Sequence, residues 1–132
     1  MNKKKLKHKN FLTKNNLEKL NNLNVEFFER AKLSILDPLG LDLANDIKWI
    51  KLNENLNSLK FPVVIGGKGQ PILLLHGFDS SFLEFRRIYK SLKRNFQVIV
   101  PDLLGFGFSP RCATNQYNSS KIISHLTDLL KN

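Results

Sequence analysis

Chemistry in this chain would sit in two polar loops, each entered from an apolar run. Pro71-Ile72-Leu73-Leu74-Leu75 stops at His76-Gly77-Phe78. Val98-Ile99-Val100 stops at Pro101-Asp102-Leu103-Leu104-Gly105-Phe106-Gly107-Phe108-Ser109. A short apolar run that ends at a polar residue and a glycine reads as a buried parallel strand emptying into a functional loop. Gly105 and Gly107 permit tight turning and close backbone approach. Asp102 and Ser109 are short polar side chains suited to holding loop amides. Nucleophilic catalysis needs a nucleophile and a base within about 3 Å of each other. The histidines are His8, in a charged tail, His76, and His125, whose helical neighbours Ser124 and Leu126 suggest a surface or helix-flank position. Cys112 reads as a small apolar loop residue without an assigned partner. No Cys pair and no His-x-x-x-His spacing offers a metal site, so neither a metal nor a cofactor is expected.

The elements that must position these loops follow from periodicity. Residues 1–24 are rich in Lys and Asn, with a weak helical pattern that Thr13 would cap, and are expected to form a mobile basic arm. Residues 25–58 read as a helical extension. A first helix carries Val25, Phe27, Phe28, Ala31, Leu33 and Ile35 and ends before Pro38 and Gly40. A second carries Leu41, Leu43, Ile47, Trp49 and Ile50, and Asn53, Asn55 and Asn57 break its pattern. Residues 59–132 change character. Strands are expected at Phe61–Ile65, Ile72–His76 and Gln97–Val100, with a turn at Gly66–Gln70. Ser81 and Glu84 form a capping box. It opens a helix with Phe82, Phe85, Ile88, Tyr89 and Leu92 on one face. Ser119 or Ser120 caps a last helix bearing Ile122, Ile123, Leu126, Leu129 and Leu130. The alternation predicts an α/β fold with about three to four strands in a mostly parallel sheet.

Composition narrows the function classes. The 132 residues make one domain at most, and 42% apolar content supports a core. The net charge of +10 raises nucleic acid or an anionic membrane as partners. Much of the excess, however, sits in Lys3, Lys4, Lys5, Lys7 and Lys9 and accompanies abundant Asn, as the base composition of a genome would produce. No helix-turn-helix, zinc finger or aromatic RNA-binding motif is present, and a nucleic-acid role is not expected. Nothing approaches the roughly 18 apolar residues of a membrane span, and the basic N-terminus lacks a signal peptide's apolar stretch. One cysteine excludes an internal disulfide. A cytoplasmic protein is the expectation.

The segment Gly69–Ser81, with Phe85-Arg86-Arg87 and then Asp102-x-x-Gly105-x-Gly107-x-Ser109, strongly resembles the α/β-hydrolase superfamily, most of all its esterase/lipase and epoxide-hydrolase-like branches of cyanobacterial and plant type. The resemblance covers residues 59–132, as the N-terminal part of that sheet; residues 25–58 would be an N-terminal helical extension. It implies that the Phe78 N–H is an oxyanion-hole donor, a group that contributes on the order of 3 kcal/mol to transition-state stabilisation. It also implies that His76 and Gly77 shape the oxyanion loop, that His76 is not the triad histidine, and that Asp102, Gly105, Gly107 and Ser109 border the active site without doing chemistry.

The rest of such a site is missing from the sequence. A nucleophile elbow needs Gly-x-Ser-x-Gly on a strand-to-helix turn. The nearest imitation, Gly107-Phe108-Ser109-Pro110-Arg111, follows a loop and ends on a bulky Arg. In the resembled family the nucleophile strand follows a helix like 119–131 and lies beside the strand at 72–75, which here would be left with an apolar edge. The expectation is therefore a truncated hydrolase that is inactive and marginally stable alone. Its partner would be a separately encoded C-terminal half, and a small-molecule ester would be its substrate only once completed. The alternative is a non-catalytic interaction protein built on half of the fold.

Overall fold

The computed structural model describes residues 13–52, 59–111 and 117–131. Thr13 opens α1 (Lys14–Lys32), its hydroxyl accepting the Asn16 N–H at 3.3 Å. α1 therefore begins inside the stretch expected to be a mobile arm and runs through the division placed at residue 24. Asp37 opens α2 (Pro38–Asn45) by accepting the Leu39 N–H at 3.0 Å, with Pro38 preset for the first helical position. The second expected helix stops there. Ile47-Lys48-Trp49-Ile50-Lys51 forms a strand, β1 (Ile47–Lys51), rather than a continuation of it. Its β-branched and aromatic residues suit a pleated surface, and pairing with a neighbouring strand outweighs the helical spacing.

The remaining elements are β2 (Lys60–Gly66), β3 (Gln70–Leu73), a 3-10 turn (Phe82–Phe85) running into α3 (Arg86–Leu92), β4 (Phe96–Pro101) and α4 (Ser119–Leu130). The sheet order among the described residues is β1-β2-β4-β3. The strand expected over 72–76 is shorter: it ends at Leu73, although the Leu74 N–H still bonds Ile99 O at 2.9 Å. The sheet is mixed rather than mostly parallel. β1 and β4 both run antiparallel to β2, and only β3 and β4 are parallel, joined through α3. The Gly66–Gln70 turn carries the chain past β4 to the far edge of the sheet. α4 is capped by Asn118, whose Oδ1 accepts the Lys121 N–H at 3.0 Å, and not by Ser119 or Ser120.

Helices cover both faces of the sheet. Phe28, Leu43, Val64, Phe82, Tyr89, Val98 and Val100 form one core cluster, with α2 and α3 on that face. Leu52, Leu59, Phe61, Val63, Leu104 and Leu129 form the other, closed by α4. Val63 and Val64 are consecutive and enter different clusters, as the pleat requires. Burial on both faces explains why β2 is a nearly continuous apolar run. α1 contributes to both clusters, with Phe28 in the first and Leu17 and Leu20 against the second. Polar links fasten α2 to α3. The Arg86 Nε donates to Asp37 at 2.8 Å, Lys93 bridges Asp42 and Asp46, and the Tyr89 hydroxyl donates to Asp46 at 2.5 Å. Ile88, expected on the apolar face of α3, is exposed. Among the described residues no helix is long and apolar enough to cross a membrane.

His125 departs most from its expected surface position. It is 2% exposed, and its ring packs edge-on against Phe61 at 4.4 Å. Neither ring nitrogen has a hydrogen-bond partner among the described residues. Burial pushes its pKa down to about 4 from an ordinary 6.5, against a weak opposite pull from Asp128. The unfolded chain takes up this proton near pH 6.5 and the folded chain refuses it until about 4, so stability is full above pH 6.5 and falls as the pH drops toward 4. His125→Leu should therefore gain on the wild type by about 2–3 kcal/mol between pH 7 and pH 4.5, measured by urea unfolding at each pH. A difference that does not change with pH would show that the imidazole protonates freely in the folded protein.

Candidate functional site

β3 and β4 lie side by side and parallel, so the loops that follow them leave the same end of the sheet. Functional loops of open α/β sheets sit at this end, because the strands present their carboxyl termini there. Side-chain and backbone bonds then tie the two loops together. His76, 4% exposed, accepts the Leu103 N–H on Nε2 at 3.0 Å. A backbone N–H only donates, so this bond leaves Nε2 unprotonated and puts the ring proton on Nδ1, which donates to Gly77 O at 2.8 Å. The 3.8 Å separation between His76 Nε2 and Asp102 is consequently a contact and not an ion pair.

Asp102 is fully buried and holds the second loop from inside. Oδ1 accepts the Phe82 N–H at 2.6 Å and Oδ2 accepts the Phe108 N–H at 2.7 Å. Its own carbonyl accepts the Ser109 hydroxyl at 2.8 Å. Burial pushes the carboxyl up to about 6, against the lowering pull of the Phe108 and Phe82 amides. Gly107 turns above this carboxylate with φ +53°, and a Cβ there would lie 2.2 Å from Asp102 Oδ2. Gly105, at φ +85°, passes over the Tyr117 ring, where a Cβ would lie 2.6 Å from Cδ1. The bonds made by Ser109 and His76 are structural, and both side chains are buried away from any approaching molecule.

The His76 turn exposes different groups. Phe78 is 91% exposed, its ring set against Phe106 at 5.4 Å. Asp79 follows at φ +56°, a left-handed conformation that costs a non-glycine residue energy and recurs at functional turns. Glu84, read from sequence as half of a capping box, turns instead to this loop and accepts the Gly77 N–H at 3.2 Å. Its carboxyl is held below the usual range by the Ser80 hydroxyl and by that amide. Ser81 keeps its share of the cap, accepting the Leu83 N–H. With the Gly77 amide engaged, the Phe78 N–H has no hydrogen-bond partner among the described residues. An open hollow of about 640 Å³ adjoins the turn, lined by Asp79, Ser80, Glu84, Arg86, Gly107 and Arg111.

The structure thus gathers His76, Gly77, Phe78, Asp102, Gly105, Gly107 and Ser109 in one place. His125 lies away from them, in the cluster under α4. His8 and Cys112 fall outside the described residues. The sequence reading missed the aromatic clamp on the second loop. Phe108 meets Phe28 at 5.1 Å, Phe82 at 5.7 Å and Phe27 at 6.0 Å, so α1 presses on the loop from the other side of the chain. Only the pairing of Phe27 and Phe28 on one helix hinted at it, and that pattern reads equally well as ordinary core. Among the described residues no three His, Cys, Asp or Glu side chains gather to hold a metal.

Two outcomes follow for the loop. Gly107→Ala should lower the unfolding free energy by on the order of 2–3 kcal/mol, because the methyl meets Asp102 and the backbone is left-handed; an effect under about 0.5 kcal/mol in urea titration would contradict this geometry. The Asp102 carboxyl keeps its proton in the folded chain up to about pH 6 and ordinarily loses it near 3.8. Stability from this group therefore rises as the pH falls from 6 toward 4. The wild type should gain on Asp102→Asn by about 2–3 kcal/mol across that window, and parallel pH profiles would refute it.

Comparison with known proteins agrees with this architecture. The alpha/beta hydrolase fold family matches residues 70–131. A lipase from a Moraxella species, Lipase 3, is 33% identical over 105 residues, covering 79% of this chain and 29% of its own length. A soluble epoxide hydrolase from a Corynebacterium species is 39% identical over 59 residues, 45% of this chain and 21% of its own. The crystal structure of a meta-cleavage product hydrolase from Pseudomonas fluorescens superimposes with a TM-score of 0.52 at 28% identity, over 55% of this chain and 28% of that one. The chain spans less than a third of the length of these curated relatives. Two loops locked together at the carboxyl ends of parallel strands, joined with these matches, show that the chain carries part of the α/β-hydrolase fold.

Proposed function

We propose that this chain supplies the oxyanion-loop half of a serine-esterase-type hydrolase site. It is catalytically silent by itself and hydrolyses a small-molecule ester only when a second polypeptide segment provides the nucleophile, the triad acid and the triad histidine. The observation that carries the reading is the Phe78 N–H, which has no partner among the described residues and lies in the turn after β3, where the neighbouring Gly77 amide is already engaged by Glu84. A preorganised amide with no other acceptor stabilises negative charge as it builds on a carbonyl oxygen. The sheet supports the need for completion. β3 pairs with β4 on one side only among the described residues, and Leu73, Leu75 and Phe78 near its free edge are exposed. A parallel strand laid along that edge would bring its own carboxyl-terminal loop beside Phe78. The sequence contains no Gly-x-Ser-x-Gly to act as nucleophile, and its single cysteine suits a cytoplasmic setting.

The purified 132-residue chain should neither turn over p-nitrophenyl esters nor be labelled by a fluorophosphonate. Co-expression with the polypeptide encoded directly downstream, if it carries Gly-x-Ser-x-Gly, should restore both. In that complex Phe78→Pro, which deletes the amide hydrogen, should lower kcat by about 10²–10³-fold, while Phe78→Ala keeps the donor and most of the rate. Ester turnover by the chain alone that disappears when one of its serines is replaced would overturn the proposal.

A further inference from the structure

A second candidate site lies away from the two loops and shares no residue with them. A groove of about 450 Å³ runs between α1 and the strand ends of β1 and β2, lined by Lys14, Glu18, Asn21, Asn22, Lys51 and Lys60. Lys51 and Lys60 are direct cross-strand partners, so their side chains leave the same face of the sheet. Like charges placed opposite one another destabilise a strand pair, and Lys14 adds a third from the helix. Among the described residues no ion pair or hydrogen bond neutralises any of the three ammonium groups; Glu18 also lines the groove without pairing to them. By contrast, the partly buried Arg86 pairs with Asp37 and Lys93 with Asp42 and Asp46, whereas the partly buried Lys60 has the exposed Lys14 and Lys51 for neighbours. The groove is also built rather than incidental. Asn21, only 7% exposed, accepts the Lys60 N–H on Oδ1 at 2.7 Å and so fixes α1 against the start of β2.

We propose that this groove binds a phosphate-bearing anion. Three compact, strongly hydrated ammonium groups act on phosphate as point charges, and an anion carrying more than one negative charge balances their excess over Glu18 where a single carboxylate would not. The volume lies in the range of small-ligand sites. The group could reach the groove as a free phosphate compound or as a lipid headgroup, and its recognition chemistry is the same in both.

The test is titration of the full chain with inorganic pyrophosphate at constant ionic strength, read by amide chemical shifts and by Tm. Saturable shifts centred on Asn21, Asn22, Lys51 and Lys60 and a rise in Tm are expected. Lys51→Gln with Lys60→Gln should weaken binding at least about tenfold, as the loss of two charge-assisted contacts implies. Removing the opposed charges should leave that variant at least as resistant to urea as the wild type, and Lys14→Gln gives an independent reading should it fail to fold. Co-sedimentation with phosphatidylglycerol vesicles, absent with phosphatidylcholine and lost in the double variant, would assign the phosphate to a lipid. A pyrophosphate response without co-sedimentation would assign it to a free ligand. No response beyond that of matched sodium chloride, or an equal response in the double variant, would overturn the proposal.

Discussion

The Asp102 carboxylate is the constraint on which the rest of the site depends. It is one short side chain at the end of β4, yet it reaches two amides from different parts of the chain. The Phe82 bond seats the turn that leads into α3, and the Phe108 bond closes the glycine loop. His76 meets the residue next to it through the Leu103 N–H. Remove this centre and the loops after β3 and β4 lose their common anchor. The arrangement has a cost, since a carboxylate taken out of water is disfavoured unless its lone pairs are filled. Two amide donors offset much of that cost without cancelling it, which is why the carboxyl stays raised. Gly107 is the steric counterpart, for only a residue without a side chain lets the backbone pass over the carboxylate.

The two buried titratable groups pull stability in opposite directions with pH. Asp102 is favoured in its protonated form by folding and His125 in its deprotonated form, and their windows overlap between about pH 4 and 6. In the wild-type chain the slopes largely offset, so a flat pH profile would conceal two substantial effects. The groups sit on different sides of the sheet, one under the loop pair and the other under α4. They need not respond together to a change elsewhere in the fold.

Several described residues ahead of the matched region are fastened into the core. Phe28 is wholly buried and presses on Phe108, while Asp37, Asp42 and Asp46 fasten α2 to α3. The open side of the fold lies at the other edge of the sheet, along β3. There the exposed Leu73, Leu75 and Phe78 stand beside the turn whose Phe78 amide has no partner among the described residues. The sheet thus has one edge packed under α1 and α2 and, among the described residues, one apolar edge left without a neighbouring strand.

Local chemistry in the sequence determined the two loops, the caps at Thr13 and Ser81, the strand at Phe61–Ile65 and the βαβ unit, because each rests on residues close together in the chain. It also carried the family, since the His-Gly turn and the Asp-x-x-Gly-x-Gly-x-Ser loop are contiguous motifs. Tertiary structure alone decided that Ile47–Lys51 is a strand, because the pairing of β1 with β2 outweighs a helical spacing. It alone decided that β2 runs antiparallel to β4, that Glu84 turns from its cap to Gly77, and that His125 is buried. Three lysines distant in sequence meet in one groove for the same reason. A residue's own neighbours set its conformational preferences, whereas burial, charge opposition and an unspent hydrogen bond are properties of the groups that the fold brings up against it.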